Sequence, residues 1–338
     1  MSQDTISINN QLLDLDSLIT KIEDNEFLVV AADEELLAKL PAGNWIGGSI
    51  PYFMSNEGGV ITRDKIFVQT ISGLSAANPA RISMYDANSI SRIAVDAPQH
   101  GFTITVLPAE SDVHVSYAQN APEFENMYFT PIIGWVSGKH LVEDEDRTAK
   151  TGYGPGNMLL SDKAVAMHVP LSPKQMANVN AVNLFEQGEG PEIIFPETGF
   201  SAGKCTIDGV ESNIADYVSE NNIDVRLPLV ANYSGVNVNV SIRDANNGED
   251  ATVFYAPVFE GVKYQFAKPI TDYVNEFGQA MSEGDAKQTA ISYNCLLNFL
   301  YSELEGKKTG SITGPVTFGE IAYQLFNQTL VYMTLTQD

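Results

Sequence analysis

Apolar and polar positions change period several times along the chain. Short runs such as KIFVQTI at 65–71, SISRIAV at 89–95, GFTITVL at 101–107, VHVSYA at 113–118 and AVAMHVP at 164–170 carry the alternation or short apolar block of β-strands. FLVVAA at 27–32 reads as a buried strand, after which Asp33 caps a short helix over 34–37. An amphipathic piece at 12–22 predicts a helix or a loosely held arm. In the C-terminal half, VNVNVSI at 236–242 alternates as a half-buried strand before a polar reversal at 244–250, and helices are predicted over 210–222 and after Pro269. PLSPKQMANVNAV at 170–182 reads as a linker, and the segment around Gly203 and Gly209 as a hairpin.

The final stretch organises the rest. Cys295, Leu296, Phe299, Leu300 and Leu304 recur three or four residues apart, which predicts a helix over 291–304 that stops at Lys307, Lys308 and Gly310. Pro315 and Gly319 place a loop next, with Glu320 directly after the glycine, and 330–335 alternates as a closing strand. The many short strands predict an α/β fold of the α+β kind. Mixed, largely antiparallel sheets with flanking helices would form two coupled halves.

Glycine clusters mark where backbone runs close to something else. GNWIGG at 43–48 reads as a turn against a ligand or a neighbouring strand, and IIGWVSG at 132–138 is a turn by the family resemblance given below. Neither has the spacing of a phosphate loop. TGYGPGN at 151–157 is likewise a turn, not a dinucleotide fingerprint.

Composition narrows the classes. With 338 residues and 44% hydrophobic content the chain folds around a sizeable core. Its 19 basic against 43 acidic residues leave a net charge of -24, which disfavours nucleic acid and anionic membranes. The two cysteines indicate no disulfide framework, the acidic N-terminus is not a signal peptide, and no window suits a membrane span, so the cytoplasm is the expected compartment.

Candidate chemistry is sparse. His100, His114, His140 and His168 show no metal-ligand spacing, and no GxSxG elbow occurs. The acidic run at 143–146 lacks the ligand spacing of a calcium loop and reads as a solvated loop. No cofactor or metal is expected. Cys295, at a predicted helix start with an apolar flank, reads as a packing residue, a pocket wall or a nucleophile. Arg243, at the end of the alternating strand, suits an exposed edge, a pair with Glu320 or a carboxylate ligand.

In serial order these motifs resemble the FIST family of bacterial sensory domains. Its C-terminal pattern is matched by Cys295, Gly314, Gly319, Glu320, Asn327 and Thr329. The IGG turn at 46–48, the GGV at 58–60, IIGWVSG, the piece at 150–171, IDGVESNIADYV at 207–218 and the hairpin at 240–261 follow in the family's order. Departures are Trp135 and Val136, and Leu296 and Leu297 where the family often has an Arg.

The resemblance implies an arm at 1–24, an N-terminal domain over 25–172 and a C-terminal domain over 173–338. It also implies a non-catalytic sensor of an amino acid or other small carboxylate, signalling through a separate partner. Trp45, Gly47, Gly48, Trp135, Arg243, Cys295, Phe318 and Glu320 would line its ligand site. An enzyme using Cys295 and Glu320, or a scaffold without a ligand, are the alternatives.

Overall fold

The computed structural model describes residues 5–142, 146–233, 235–246, 248, 251–280 and 288–337. Most of the acidic run, 143–145, lies outside them. The fold is mixed α/β, built mainly of antiparallel sheets with short helices on their faces, and no sheet closes on itself.

Three six-stranded sheets enclose the main core. The first runs Ser7–Leu13, Ile66–Ser72, Phe27–Ala32, Trp45–Ser49, Thr151–Tyr153, Met158–Leu160. The second runs Gln324–Phe326, Glu320–Ala322, Ile132–Ser137, Gly101–Pro108, Ala164–Pro170, Arg81–Tyr85. The third runs Gln175–Val182, Leu330–Gln337, Thr289–Cys295, Gly314–Thr317, Tyr52–Ser55, Gly58–Ile61. Val29 and Ile46, then Ile104 and Trp135, then Phe53, Tyr293 and Val331 bring the three inward faces into one cluster. A fourth, wholly antiparallel sheet and a small fifth one span Ile193 to Phe266 and form their own core around Phe195, Phe254 and Tyr264.

Several sequence expectations change here. The N-terminal arm is built in, because Ser7–Leu13 pairs residue by residue with Ile66–Ser72. The helix after it, Leu15–Glu23, starts where the Asp14 carboxylate accepts the Ser17 N–H at 2.9 Å. VHVSYA is helical, within Asp112–Asn120, because Ser111 caps the first turn by accepting the His114 N–H. SISRIAV includes a tight 3₁₀ turn rather than a strand. The supposed linker contains the strand Gln175–Val182, whose partner is Leu330–Gln337. Strand pairing thus crosses the 172/173 line: Gly314–Thr317 also joins Tyr52–Ser55, and Glu320–Ala322 joins Ile132–Ser137.

Two of the glycine clusters run mostly through strands, whereas 154–157 is the turn expected between Thr151–Tyr153 and Met158–Leu160. Gly47 and Gly48 lie in Trp45–Ser49, and Gly134 in Ile132–Ser137. Their bareness lets sheets approach. A Cβ on Gly48 would stand 2.7 Å from Val106 Cγ1 and 2.8 Å from Trp135 Cη2, across the gap between the first two sheets.

Gly48→Ala is therefore expected to lose about 1–3 kcal/mol in urea unfolding, as overpacked cores do. Gly190→Ala is the control, since a Cβ there meets nothing within 4 Å, and it should stay within about 0.5 kcal/mol of the parent. Equal effects from the two substitutions would contradict the close packing of these sheets.

Candidate functional site

The predicted helix over 291–304 is in fact two elements. Thr289–Cys295 is a strand, and Leu296–Tyr301 is a helix that begins directly after it, with Cys295 at the N-cap position. Cys295 pairs in parallel with Thr317, the last residue of Gly314–Thr317. Two residues later the chain leaves the third sheet for the second, where Glu320 stands opposite Trp135. This crossover carries the Glu320 carboxyl inward and leaves it 0% exposed, where a loop after Gly319 could equally have been a solvated turn.

The surroundings of Glu320 are polar but uncharged. Its Oε1 accepts from the Thr317 hydroxyl at 3.0 Å, while Oε2 has no hydrogen-bond partner. Asn294 Oδ1 accepts from the Cys295 N–H at 2.8 Å and from Asn298 Nδ2 at 3.1 Å. Burial drives the Glu320 pKa well above the ordinary carboxyl value. Favourable contacts with the Thr317 hydroxyl, the Thr329 amide and the Cys295 thiol do not offset it. Burial also lifts the Cys295 thiol, and the neighbouring carboxyl lifts it further, against the N–H groups of Leu297, Gln328 and Asn298.

Burial thus favours the protonated form of both groups, and a buried neutral thiol is a poor nucleophile. The void bordered by Tyr255, Cys295, Leu297, Phe318 and Asn327 measures about 10 Å³, water-sized at most.

The other expected site residues divide. Trp135 is fully buried beside Gly48, its ring 6.2 Å from that of Tyr293. Phe318 lies against Gly138 and separates the Cys295 void from an outer cleft of about 230 Å³ bordered by Glu110, Lys139 and Arg147. Arg243 stays outside, 42% exposed and bound to Glu110 at 2.5 Å, not to Glu320. An ion pair that open contributes little to stability. Trp45 packs in a different core, on the far face of the first sheet, and its Nε1 donates to the Pro41 carbonyl. Gly47 backs onto the Val30 carbonyl. Trp135, Gly48, Cys295, Phe318 and Glu320 thus share one buried region, without a ligand-sized space.

Such a space lies elsewhere, unanticipated from the sequence. A cleft of about 620 Å³ opens between the helix Asp112–Asn120 with the turn that follows it and the strands Leu229–Tyr233, Val236–Val240 and Lys263–Phe266. Tyr128, Tyr233, Phe259 and Tyr264 supply aromatic surface, and Val236 and Val238 aliphatic surface. Glu123 and Glu260 bring carboxylates, and among the described residues no Lys, Arg or His lines it. Tyr264 is fixed where its hydroxyl accepts the Phe259 N–H at 2.9 Å. In the folded chain the cleft is marked by the exposure of large apolar residues: Tyr128 is 60% and Val236 56% exposed. Among the described residues no His, Cys, Asp or Glu group converges as a metal site, and no helix is long and apolar enough to cross a membrane.

The model of a family of unknown function, DUF6976, matches residues 13–336, a span that includes both the buried pair and the cleft. The chain belongs to the DUF6976 family. A search of the curated proteins finds no match.

The raised carboxyl has a consequence for stability. Below about pH 4.5, the ordinary value for Glu, the group is protonated whether the chain is folded or not. Above it the unfolded chain releases the proton and the native one retains it. Native stability then falls with rising pH, up to the folded pKa, by up to about 1.4 kcal/mol per unit. Glu320→Gln lacks this loss, so its stability relative to the parent should grow steadily from acid toward neutral pH in denaturant titrations. Parallel pH profiles would show an ionised Glu320.

Proposed function

We propose that this protein is a non-catalytic ligand-binding protein of sensory type. Its ligand is a small amine with an aromatic or aliphatic body, held in the 620 Å³ cleft. The lining carries this reading: tyrosine and phenylalanine faces with two carboxylates and no basic side chain. Cations are attracted to aromatic faces and to carboxylates, and the cleft is within the usual size range for small-molecule sites. The net charge of -24 reinforces the preference by drawing cations from a distance.

The amino acid or small carboxylate expected from the FIST resemblance is thereby narrowed to the amine end of such a molecule. A carboxylate would meet Glu123 and Glu260 with no cation to balance it. A non-catalytic role also agrees with the burial of Cys295 and Glu320, which border a void of only about 10 Å³ at Cys295. The cleft joins two packed units, since Ala118 and Leu325 belong to one core cluster and Val240 and Tyr264 to another. A bound amine would clamp one against the other, and a partner protein would read the difference between clamped and open forms.

Calorimetry and thermal-shift assays with tyramine and phenethylamine, against 3-(4-hydroxyphenyl)propionate as the acid of matching shape, test this. The amines should bind with Kd of about 1 mM or tighter and raise Tm, while the acid does neither. Replacing Glu123 and Glu260 together by Gln should weaken amine binding at least about tenfold. Equal binding of amine and acid, or no binding of either amine, would contradict the proposal.

A further inference from the structure

The third sheet ends on an open edge. Gln175–Val182 pairs on one side with Leu330–Gln337 in an unbroken register, and no strand flanks it on the other. At its start the Gln175 carbonyl accepts from His100 Nε2 at 2.9 Å. Over 176–182, among the described residues, the backbone groups that turn away from Leu330–Gln337 meet no hydrogen-bond partner. Such a row is a template for another strand.

The other outer strands of the large sheets are blunted. They run three to five residues, apart from Ser7–Leu13, which is fastened onto the third sheet where Asn10 Nδ2 donates to the Ala290 carbonyl at 2.9 Å. The stretch 176–182 has none of the usual deterrents to pairing, since no charge, proline or bulge interrupts it.

Its sequence selects the partner. MANVNAV at 176–182 reads almost the same in both directions about Val179. In an antiparallel pair related by a two-fold axis through Val179, like meets like: Asn178 faces the partner's Asn180, Ala177 the partner's Ala181 and Met176 the partner's Val182. Asn178 and Asn180 are exposed, so their amides can hydrogen-bond across the seam. Ala177 and Val179 pack against the main core, and a second copy extends that apolar side. Two chains of net charge -24 must also meet on a stretch without carboxylates, and 176–182 is one.

We propose that this chain forms a two-fold dimer through this edge, joining the third sheets of two copies into one continuous sheet. A single strand pair buries less surface than an obligate dimer, so the association is reversible, with Kd on the order of 10–100 µM. It is independent of the amine cleft, which none of residues 175–182 lines.

Sedimentation equilibrium on the full chain, from about 5 µM to about 0.5 mM, tests this. The parent should pass from monomer to dimer mass over that range. Asn178→Lys with Asn180→Lys sets like charges opposite each other on both sides of the axis. It should weaken dimerisation at least about tenfold and keep the native circular dichroism, because both positions are exposed. Asn178→Lys with Asn180→Glu instead sets each Lys against the partner's Glu, and should restore the dimer. A parent that stays monomeric throughout, a dimer that the two lysines leave intact, or a Lys/Glu variant as dissociated as the Lys/Lys one would each overturn the proposal.

Discussion

The crossover from Thr317 to Glu320 is the constraint on which the molecule turns. In these few residues the chain leaves the third sheet and enters the second, so the two sheets are tied covalently as well as by packing. It is also where a carboxyl group is driven into the interior with no cation beside it. An ionised carboxylate in such a place is very costly. A protonated one is tolerable, because the Thr317 hydroxyl reaches it and the Cys295 thiol next to it is equally neutral. The pair is then a polar joint in an apolar core, with Asn294 and Asn298 hydrogen-bonded beside it.

From that joint the layout of the rest follows. With the crossover closed tightly around a void of about 10 Å³, ligand-sized space is displaced to either side. One space is aromatic and acidic, against the separate sheet spanning Ile193 to Phe266; the other, of about 340 Å³, is polar, along the helix after Cys295. Asn239, in the strand Val236–Val240 that borders the first, ties that strand to the joint, because its Nδ2 donates to the Asn327 carbonyl at 3.1 Å.

Much of the fold was legible from period alone. The strands at Ile66–Ser72, Gly101–Pro108, Ala164–Pro170 and Leu330–Gln337 fall where the sequence pattern places them. The errors have physical causes. Thr289–Cys295 is buried along most of its length, so it lacks alternation, and the leucines just after it made the whole stretch look helical. VHVSYA alternates like a strand, but the Ser111 cap decides for a helix. Glycines in Trp45–Ser49 and Ile132–Ser137 have the composition of turns, but the bare backbone there allows close strand and sheet contact. Gln175–Val182 follows two prolines that suggested a linker, yet its exposure alternates like an edge strand. As for the site, the glycine before Glu320 is compatible with a solvated turn as well as an inward one, and only the pairing of Glu320–Ala322 with Ile132–Ser137 decides. The large cleft could not be assembled from sequence, since its walls come from segments between Ala118 and Leu325 that meet only in the folded chain.

The most direct test of this account is the protonation state of Glu320 itself. An infrared difference spectrum between the parent and Glu320→Gln at neutral pH, repeated with ¹³C-labelled glutamate, isolates this one side chain. The account predicts the carbonyl stretch of a protonated carboxylic acid, retained at pH values where the surface glutamates are ionised. A symmetric and antisymmetric carboxylate pair in its place would mean that the core holds a charge, and the joint would have to be reconsidered as a chemically active site.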